Sequence, residues 1–172
     1  MRLLPSVTLG VAALAASFFA FGAEAGPPWG PETTPFNIEV ILRDVTGGSG
    51  FGHVKFRQPN DTEKIVYLDT WVRDLAPDHA YRLQRAVDTT LDGSCPRVET
   101  DWLTLGKGLV PQVITTDDQG TGREDLFRDL AAVPTGKQFD INFRVIDAVT
   151  SAPVLESGCY RFTVSLRKGS RS

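Results

Sequence analysis

The sequence predicts an all-β domain, an antiparallel β-sandwich, on three observations. Apolar and polar residues alternate with a period of two in several short runs, as they do in strands with one buried face. Clusters of glycine, proline, asparagine and aspartate separate these runs where strands must reverse. No stretch of comparable length has the 3.6-residue apolar period of a helix. With 172 residues, 41% of them hydrophobic, the chain suits one domain with its own core.

Residues 1–25 have the pattern of a cleaved signal peptide. The positive Arg2 is followed by an apolar, alanine-rich stretch, and Ala23 and Ala25 form a small-x-small cleavage site. An N-terminal membrane anchor is the alternative, because the apolar stretch approaches the length of a spanning helix. The cleavage site favours export, so we expect a secreted or periplasmic protein with no transmembrane segment after cleavage.

The remaining chain divides into an arm, one domain and a tail. The prolines and glycines of 26–35 predict an extended arm that carries Trp29. The β-sandwich domain is expected at 36–167, and 168–172 form a polar tail. The sequence has no internal repeat and no change of composition that would indicate a further domain.

Alternating runs and turn clusters mark the expected strands in chain order. Each run predicts one buried side and one solvent-facing side. Residues 123–132 predict a strand followed by a short helical turn. The clearest alternating runs are 36–43, 54–57, 139–145 and 160–166, and the clearest turns are 47–50, 59–62 and 117–120.

The central stretch 66–95 carries the most specific local signal. It reads as a strand, a tight corner, a second strand and a long loop. Leu75, Pro77 and Tyr81 have the L-x-P-x-x-x-Y spacing of a tyrosine corner, in which the tyrosine hydroxyl bonds upstream backbone. This pattern resembles that of fibronectin type III and related immunoglobulin-like sandwiches, and it indicates architecture only.

A second resemblance covers more of the chain. The residues HAYRLQ at 79–84 stand where copper–zinc superoxide dismutases have H-G-F-H-x-H, and GHVKF at 52–56 is similar to an early G-x-V-x-F strand of that family. The resemblance implies an antiparallel Greek-key β-sandwich, immunoglobulin-like or superoxide dismutase-like. It also implies a disulfide between Cys95 and Cys159, which sit at the family's matching places, and two cysteines in an exported chain are expected to pair.

The same comparison argues against dismutase chemistry. His79 falls on the first, structural histidine of the motif, while Arg82 and Gln84 occupy the positions of two copper ligands. Arginine keeps its proton and is no ligand. The chain has only two histidines, the other being His53, whereas imidazoles dominate a copper–zinc site. We therefore predict no metal site and no cofactor.

No catalytic residue is predicted elsewhere. A nucleophile–histidine pair would need His53 or His79 beside a serine or cysteine, and lone histidines are usually structural. Adjacent acids such as Asp117 and Asp118 lie in a glycine-containing turn and are usually solvated there. A net charge of −3 without a clustered basic face gives no case for nucleic acid. We therefore expect a protein that is not an enzyme.

Two features are candidate interaction surfaces. If Val66 faces the core, Tyr67 and Trp71 form an outward apolar stripe, which marks a partner or glycan surface unless a loop or the arm covers it. The long loop 87–109 carries Trp102, and such loops are often functional, although a cysteine tether would make this one structural.

Two functions follow from these expectations. The first is a non-catalytic binding or structural module in the periplasm, cell envelope or extracellular space, with an envelope or extracellular protein or a glycan as partner. The second is a divergent superoxide dismutase-like enzyme or metal-binding protein with a non-standard site. Metal analysis of protein purified without added metal distinguishes them.

Overall fold

The computed structural model describes residues 37–58, 63–95 and 101–165. These residues form twelve strands and no α-helix. The strands are β1 Asn37–Asp44, β2 Phe51–Arg57, β3 Ile65–Arg73, β4 Ala80–Asp88, β5 Leu103–Thr104, β6 Gly106–Lys107, β7 Val110–Pro111, β8 Ile114–Thr115, β9 Gly122–Asp129, β10 Gln138–Asp147, β11 Pro153–Ser157 and β12 Tyr160–Thr163.

Several sequence predictions lie outside the described residues. They are the signal peptide at 1–25, the arm at 26–35 with Trp29, the turn at 59–62 and the tail at 168–172. The described part of the chain contains no helix with the length and hydropathy that a membrane span requires.

All strands belong to a single sheet that is nearly closed into a barrel. Its order is β5-β4-β10-β11-β1-β2-β3-β9-β6-β7, and β6 with β9 is the parallel pair in an otherwise antiparallel path. Segment 103–107 supplies both β5, which pairs with β4, and β6, which pairs with β9. This segment therefore joins the two sides of the sheet. The all-β prediction is confirmed, and hydrogen bonding makes one sheet of the strands.

The barrel interior is filled by alternate residues of each strand. On β3, Val66, Leu68 and Val72 are buried, while Tyr67 and Trp71 lie on the outer face. The predicted period of two is confirmed there. Residues 122–129 form β9, which confirms the strand predicted there, and a hydrogen-bonded turn at 131–132 follows it in place of the expected short helical turn.

Strand β10 departs from the predicted pattern because both of its faces are buried. Gly93 N–H donates to an Asp140 carboxylate oxygen over 2.7 Å, and the Trp102 ring packs against Arg144. The prediction of a solvent-facing side is wrong for β10, since a loop distant in sequence covers that face and periodicity does not report such loops. The covered side chains, each under 7% exposed, are Asp140, Asn142 and Arg144.

The covering loop is fastened by the predicted disulfide. Cys95 in the loop is bonded to Cys159, which lies between β11 and β12. A disulfide is typical of proteins in oxidising compartments. The described parts of 87–109 contain β5 and β6 as well as the covering segment, so this stretch has a structural role in closing the barrel and shielding β10.

Candidate functional site

One end of the barrel interior holds a cavity of about 140 Å³. It lies where β3 and β10 begin and where β2, β4 and β9 end. Two of its lining residues are charged, Arg85 and Arg128, and we call the feature the arginine cavity. The other eleven lining residues are all apolar: Phe56, Val66, Leu68, Val87, Leu105, Leu130, Val133, Phe139, Ile141, Phe143 and Phe162.

Both arginines fall at positions of their strands whose side chains point towards the barrel core. Arg85 lies on β4 between Leu83 and Val87, which both pack in the core, and Arg128 lies on β9 two residues after the buried Leu126. Both side chains are partly buried, so water solvates their charges less well than it solvates a charge on the surface. That placement costs free energy unless a partner compensates the charge.

Within the described residues, neither guanidinium takes part in an ion pair. Arg128 Nη1 donates to the carbonyl oxygen of Gly108 over 3.1 Å. Burial lowers the pKa of Arg85, and the positive charge of Arg128 lowers it further. Arginine nevertheless stays protonated at neutral pH, so the cavity carries two positive charges.

The two buried charged groups outside the cavity are compensated. Asp140 accepts hydrogen bonds from Arg161 at 3.0 Å and from Gly93, and the Arg161 contact is the main reason that the pKa of Asp140 is lowered. Arg144 Nε donates to Gln84 Oε1 over 2.7 Å. The arginine cavity differs in that neither of its charges has an acidic partner or a side-chain acceptor among the described residues, so both can bind a ligand.

The chemistry of the cavity is that of anion binding. Guanidinium groups bind carboxylate, sulfonate and phosphate oxygens through charge-assisted hydrogen bonds, which strengthen in apolar surroundings. The described lining has no serine, cysteine, histidine or carboxylate. It therefore offers no nucleophile and no general base, and the arrangement supports binding.

The opposite end, which we call the corner end, contains Leu75, Pro77 and Tyr81. The Ala76 N–H donates to the Tyr81 hydroxyl over 3.1 Å, which is the hydrogen bond that the tyrosine-corner spacing predicts. Burial raises the pKa of this tyrosine. The Thr116 hydroxyl donates to the Ala76 carbonyl oxygen over 2.7 Å, so the corner is held from two sides.

His79 lies beside this corner and pairs with Asp147. Its Nε2 is 2.7 Å from Asp147 Oδ2. Asp147 also accepts the backbone N–H groups of Thr150 and Val149 at 2.9 and 2.7 Å. These backbone hydrogen bonds, with a smaller contribution from His79, lower the pKa of Asp147 to about 2.

The second histidine is on the outer face of β2. His53 contacts Glu39 on β1, and it lies far along the sheet order from His79 beside β4. Arg82 and Gln84, which stand where copper ligands would, are both on the outer face of β4. Within the described ranges no three histidine, cysteine, aspartate or glutamate side chains are grouped as a metal site requires.

Tyr67 and Trp71, the predicted outer stripe, are both half-buried. The Trp71 ring stacks on His53 with 5.6 Å between ring centroids, and the Arg123 guanidinium lies 4.5 Å from the centre of the same indole. Arg123 Nη2 also donates a hydrogen bond to Asp125 Oδ1 over 3.1 Å. The stripe faces outward, but neighbouring side chains of the same sheet cover part of it.

Trp102, the third predicted surface residue, lies over β10. The Arg144 guanidinium is 4.2 Å from the Trp102 ring centre, and the indole N–H is buried without an acceptor among the described residues. In the sheet order, β11, β1 and β2 separate β10 from β3, which carries Trp71. The three predicted aromatic residues therefore do not form one surface.

Arg85 and Arg128 were missed by the sequence analysis, although a signal for them exists. Tyr81, Leu83 and Val87 set the inward phase of β4, and Arg85 falls in that phase. A charged residue in the apolar phase of a strand is a local conflict of the kind that marks functional sites. That the two arginines share one cavity is visible only in the folded barrel.

Comparisons with known proteins identify no relative of this chain. No protein-family model matches it, a search of curated proteins finds no match, and no solved structure matches the fold. Its function is therefore inferred from its own residues and geometry.

Proposed function

We propose that this protein is a non-catalytic, exported binding module and that a small, largely apolar ligand occupies the arginine cavity. The cavity is the observation that carries this proposal. Ligand sites are typically concave and mostly apolar, with a few placed polar groups, and the lining of eleven apolar residues and two arginines has that composition. The absence of a nucleophile or base from the described lining favours binding over catalysis.

Ligand titration followed by NMR tests the proposal. We expect small ring compounds and short alkyl compounds to shift the signals of lining residues, such as Leu105 and Val133, before those of the corner end. A ligand that binds only the folded protein also raises its melting temperature. If no compound of this size perturbs the lining residues, the cavity is not a ligand site and the proposal fails.

A cavity-filling variant provides the specific control. Val133 lines the cavity from the turn region between β9 and β10, so Val133→Phe should occupy the space and abolish the shifts while the barrel still folds. Val149→Phe is the matched control, because Val149 is 79% exposed in a turn beside Asp147. Equal binding by the Val133→Phe variant and the wild type would contradict the assignment.

Export is part of the same proposal. It is supported by the signal-peptide pattern of 1–25 and by the Cys95–Cys159 disulfide, which suits an oxidising compartment. Expression with the native leader in a secreting bacterial host should yield a mature protein that begins near Gly26. Mass spectrometry checks this, and a mature chain that retains 1–25 would indicate the membrane-anchor alternative.

We also propose that the barrel is a Greek-key fold related to superoxide dismutase-like or immunoglobulin-like sandwiches. Supporting this, β9 follows β4 and β8 in the chain yet pairs with β3, which precedes them, as a returning Greek-key strand does. The disulfide joins the two places that the dismutase resemblance implies. An experimental structure of this protein would test the relationship, because its strand order could be compared with the strand order of those two families.

The second hypothesis, a divergent enzyme or metal-binding protein, has no specific observation in its favour. His53 and His79 each contact one carboxylate and lie apart. Stoichiometric, tightly bound transition metal in protein purified without added metal would support it. An envelope protein or glycan at Tyr67 and Trp71 likewise stays a prediction.

A further inference from the structure

We propose that the arginine cavity selects an anion: a carboxylate or sulfonate whose apolar body is one ring or a short alkyl chain. The anionic group would bind Arg85 and Arg128, and the body would pack on the apolar lining. This inference rests on the proposed function, and it adds the charge, the size and the recognition groups of the ligand.

The sign of the ligand's charge follows from the two arginines. Both face an interior whose described lining contains no acid, and the proximity of Arg128 disfavours the charged form of Arg85. An empty cavity therefore holds two like charges in apolar surroundings, an arrangement that is unfavourable by itself. A bound anion removes the repulsion and supplies acceptors for the guanidinium N–H groups.

The arrangement of the lining gives the ligand two unlike ends. Arg85 and Arg128 come from β4 and β9, the strands that segment 103–107 joins. Phe56 and Phe162 come from β2 and β12, and their rings meet edge to face with 5.0 Å between centroids. One wall is thus cationic and another aromatic, so an amphiphilic anion fits both.

The volume limits the part of the ligand that the cavity can enclose. An engineered apolar cavity of roughly 150 Å³ holds one benzene molecule, and the arginine cavity is of similar size at about 140 Å³. Sugars and other polyhydroxylated bodies are disfavoured, because the described lining has no hydroxyl or amide side chain to pair with their hydroxyl groups. Benzoate, benzenesulfonate and hexanoate have the expected chemistry.

Calorimetric titration of the full chain with matched probes tests the inference. Benzoate is compared with benzamide, and hexanoate with hexan-1-ol, so that the anionic group changes while the body is kept. Within each pair, only the anion can form hydrogen bonds to the guanidinium groups in which both partners are charged. We therefore expect the anion to bind at least about tenfold more tightly than its neutral counterpart. Benzenesulfonate should share this preference.

Arginine variants then locate the recognition groups. Arg85→Met and Arg128→Met should each weaken benzoate binding about tenfold or more and leave benzamide binding nearly unchanged. Arg85→Met should also raise the melting temperature of the unliganded protein, because it removes a partly buried charge that has no ion pair. Arg73→Met is the matched control, since Arg73 lies at the far end of β3 and is exposed.

The outcomes separate this inference from the proposed function. Equal affinity for benzoate and benzamide would overturn the anion inference and leave cavity binding in place, whereas no binding of any probe would overturn both. Should a methionine variant fail to fold, Arg85→Lys keeps the charge but loses the planar donor fork, and it should still weaken benzoate binding. Unchanged anion preference in the folded arginine variants would also overturn the inference.

Discussion

At the corner end of the barrel the polar groups are hydrogen-bonded to one another, whereas at the arginine cavity two positively charged side chains have no acidic partner among the described residues. The Tyr81 hydroxyl and the Thr116 hydroxyl both bond the backbone of Ala76. Arg85 and Arg128 face apolar side chains and have no ion pair among the described residues. Hydrogen-bonded polar groups stabilise a fold, while inward-facing charges without a counterion are a local conflict of the kind that marks functional sites. The two ends of one barrel thus serve different purposes.

Two glycines, one at each end of the barrel, differ in the space around them. A Cβ atom on Gly120, at the corner end, would stand 2.1 Å from the Leu75 carbonyl oxygen. Gly136 lies in the turn region that enters β10 beside the cavity, and a Cβ atom there would meet nothing within 4 Å. Both glycines have positive φ, 72° and 83°. Space, rather than backbone conformation, therefore distinguishes these two glycine positions.

The largest effect is expected from breaking the disulfide that supports the cavity side. Closing a loop of this length stabilises a protein by about 4 kcal/mol in the chain-entropy model, so Cys95→Ser should lower the free energy of unfolding by about that amount. β10 and β12 should lose hydrogen-exchange protection before β4, because the tethered loop packs on β10. Chemical denaturation and exchange mass spectrometry measure both quantities.

The double variant Cys95→Ser with Cys159→Ser is the control for this experiment, because it removes the free thiol that the single variant leaves. It should be destabilised equally. Two free thiols in the wild-type protein as isolated, or uniform loss of protection over the whole barrel, would contradict a disulfide that acts mainly on the cavity side.

The second effect is the steric difference between the two glycines. Alanine at positive φ costs about 1–2 kcal/mol, so Gly136→Ala should lower the free energy of unfolding by that amount and no more. Gly120→Ala adds a clash with backbone that holds the corner, so a loss of about 3 kcal/mol is expected. Denaturation curves of the two variants measure the difference. Equal losses would show that the corner end accommodates a methyl group.

The third effect concerns the corner hydroxyl. Tyr81→Phe keeps the ring and removes the acceptor of the Ala76 N–H, so a loss of about 1–2 kcal/mol is expected with an unchanged fold. Tyr160→Phe offers a comparison, because its hydroxyl accepts the Ile41 N–H over a longer 3.3 Å, and it should cost less. A neutral Tyr81→Phe variant would mean that water replaces the hydroxyl.

The smallest effect is a change in the acid limb of stability. The pKa of Asp147 is about 2 in the folded protein, below its value in the unfolded chain, so its contribution is present above about pH 4 and is lost as pH falls towards 2. Asp147→Asn should therefore flatten the decline of unfolding free energy over this range. Denaturation at several pH values measures the slope.

His79→Gln is the control for the acid limb. The Thr150 and Val149 N–H groups lower the pKa of Asp147 more than His79 does, so the glutamine variant should flatten the slope less than Asp147→Asn does. A larger effect from His79→Gln would assign the acid dependence to the histidine pair instead.

Local patterns predicted the strands and the corner because they depend on near neighbours. The period of two along β3 and the seven-residue spacing from Leu75 to Tyr81 are properties of consecutive residues, and the structure shows the corresponding burial and hydrogen bond. The solvent-facing side predicted for β10 was wrong, because the loop that covers it comes from a distant part of the chain.

The sequence by itself determined that this chain is built of antiparallel strands, which of their faces are apolar, and which two cysteines are available to pair. The tertiary structure alone decided that the strands form one nearly closed sheet and that Arg85 and Arg128 meet at the same cavity. They are 43 positions apart in the chain (128 − 85), and they come together because segment 103–107 bridges β4 and β9. A binding site made of such distant residues depends on how the sheet closes, which no local pattern encodes.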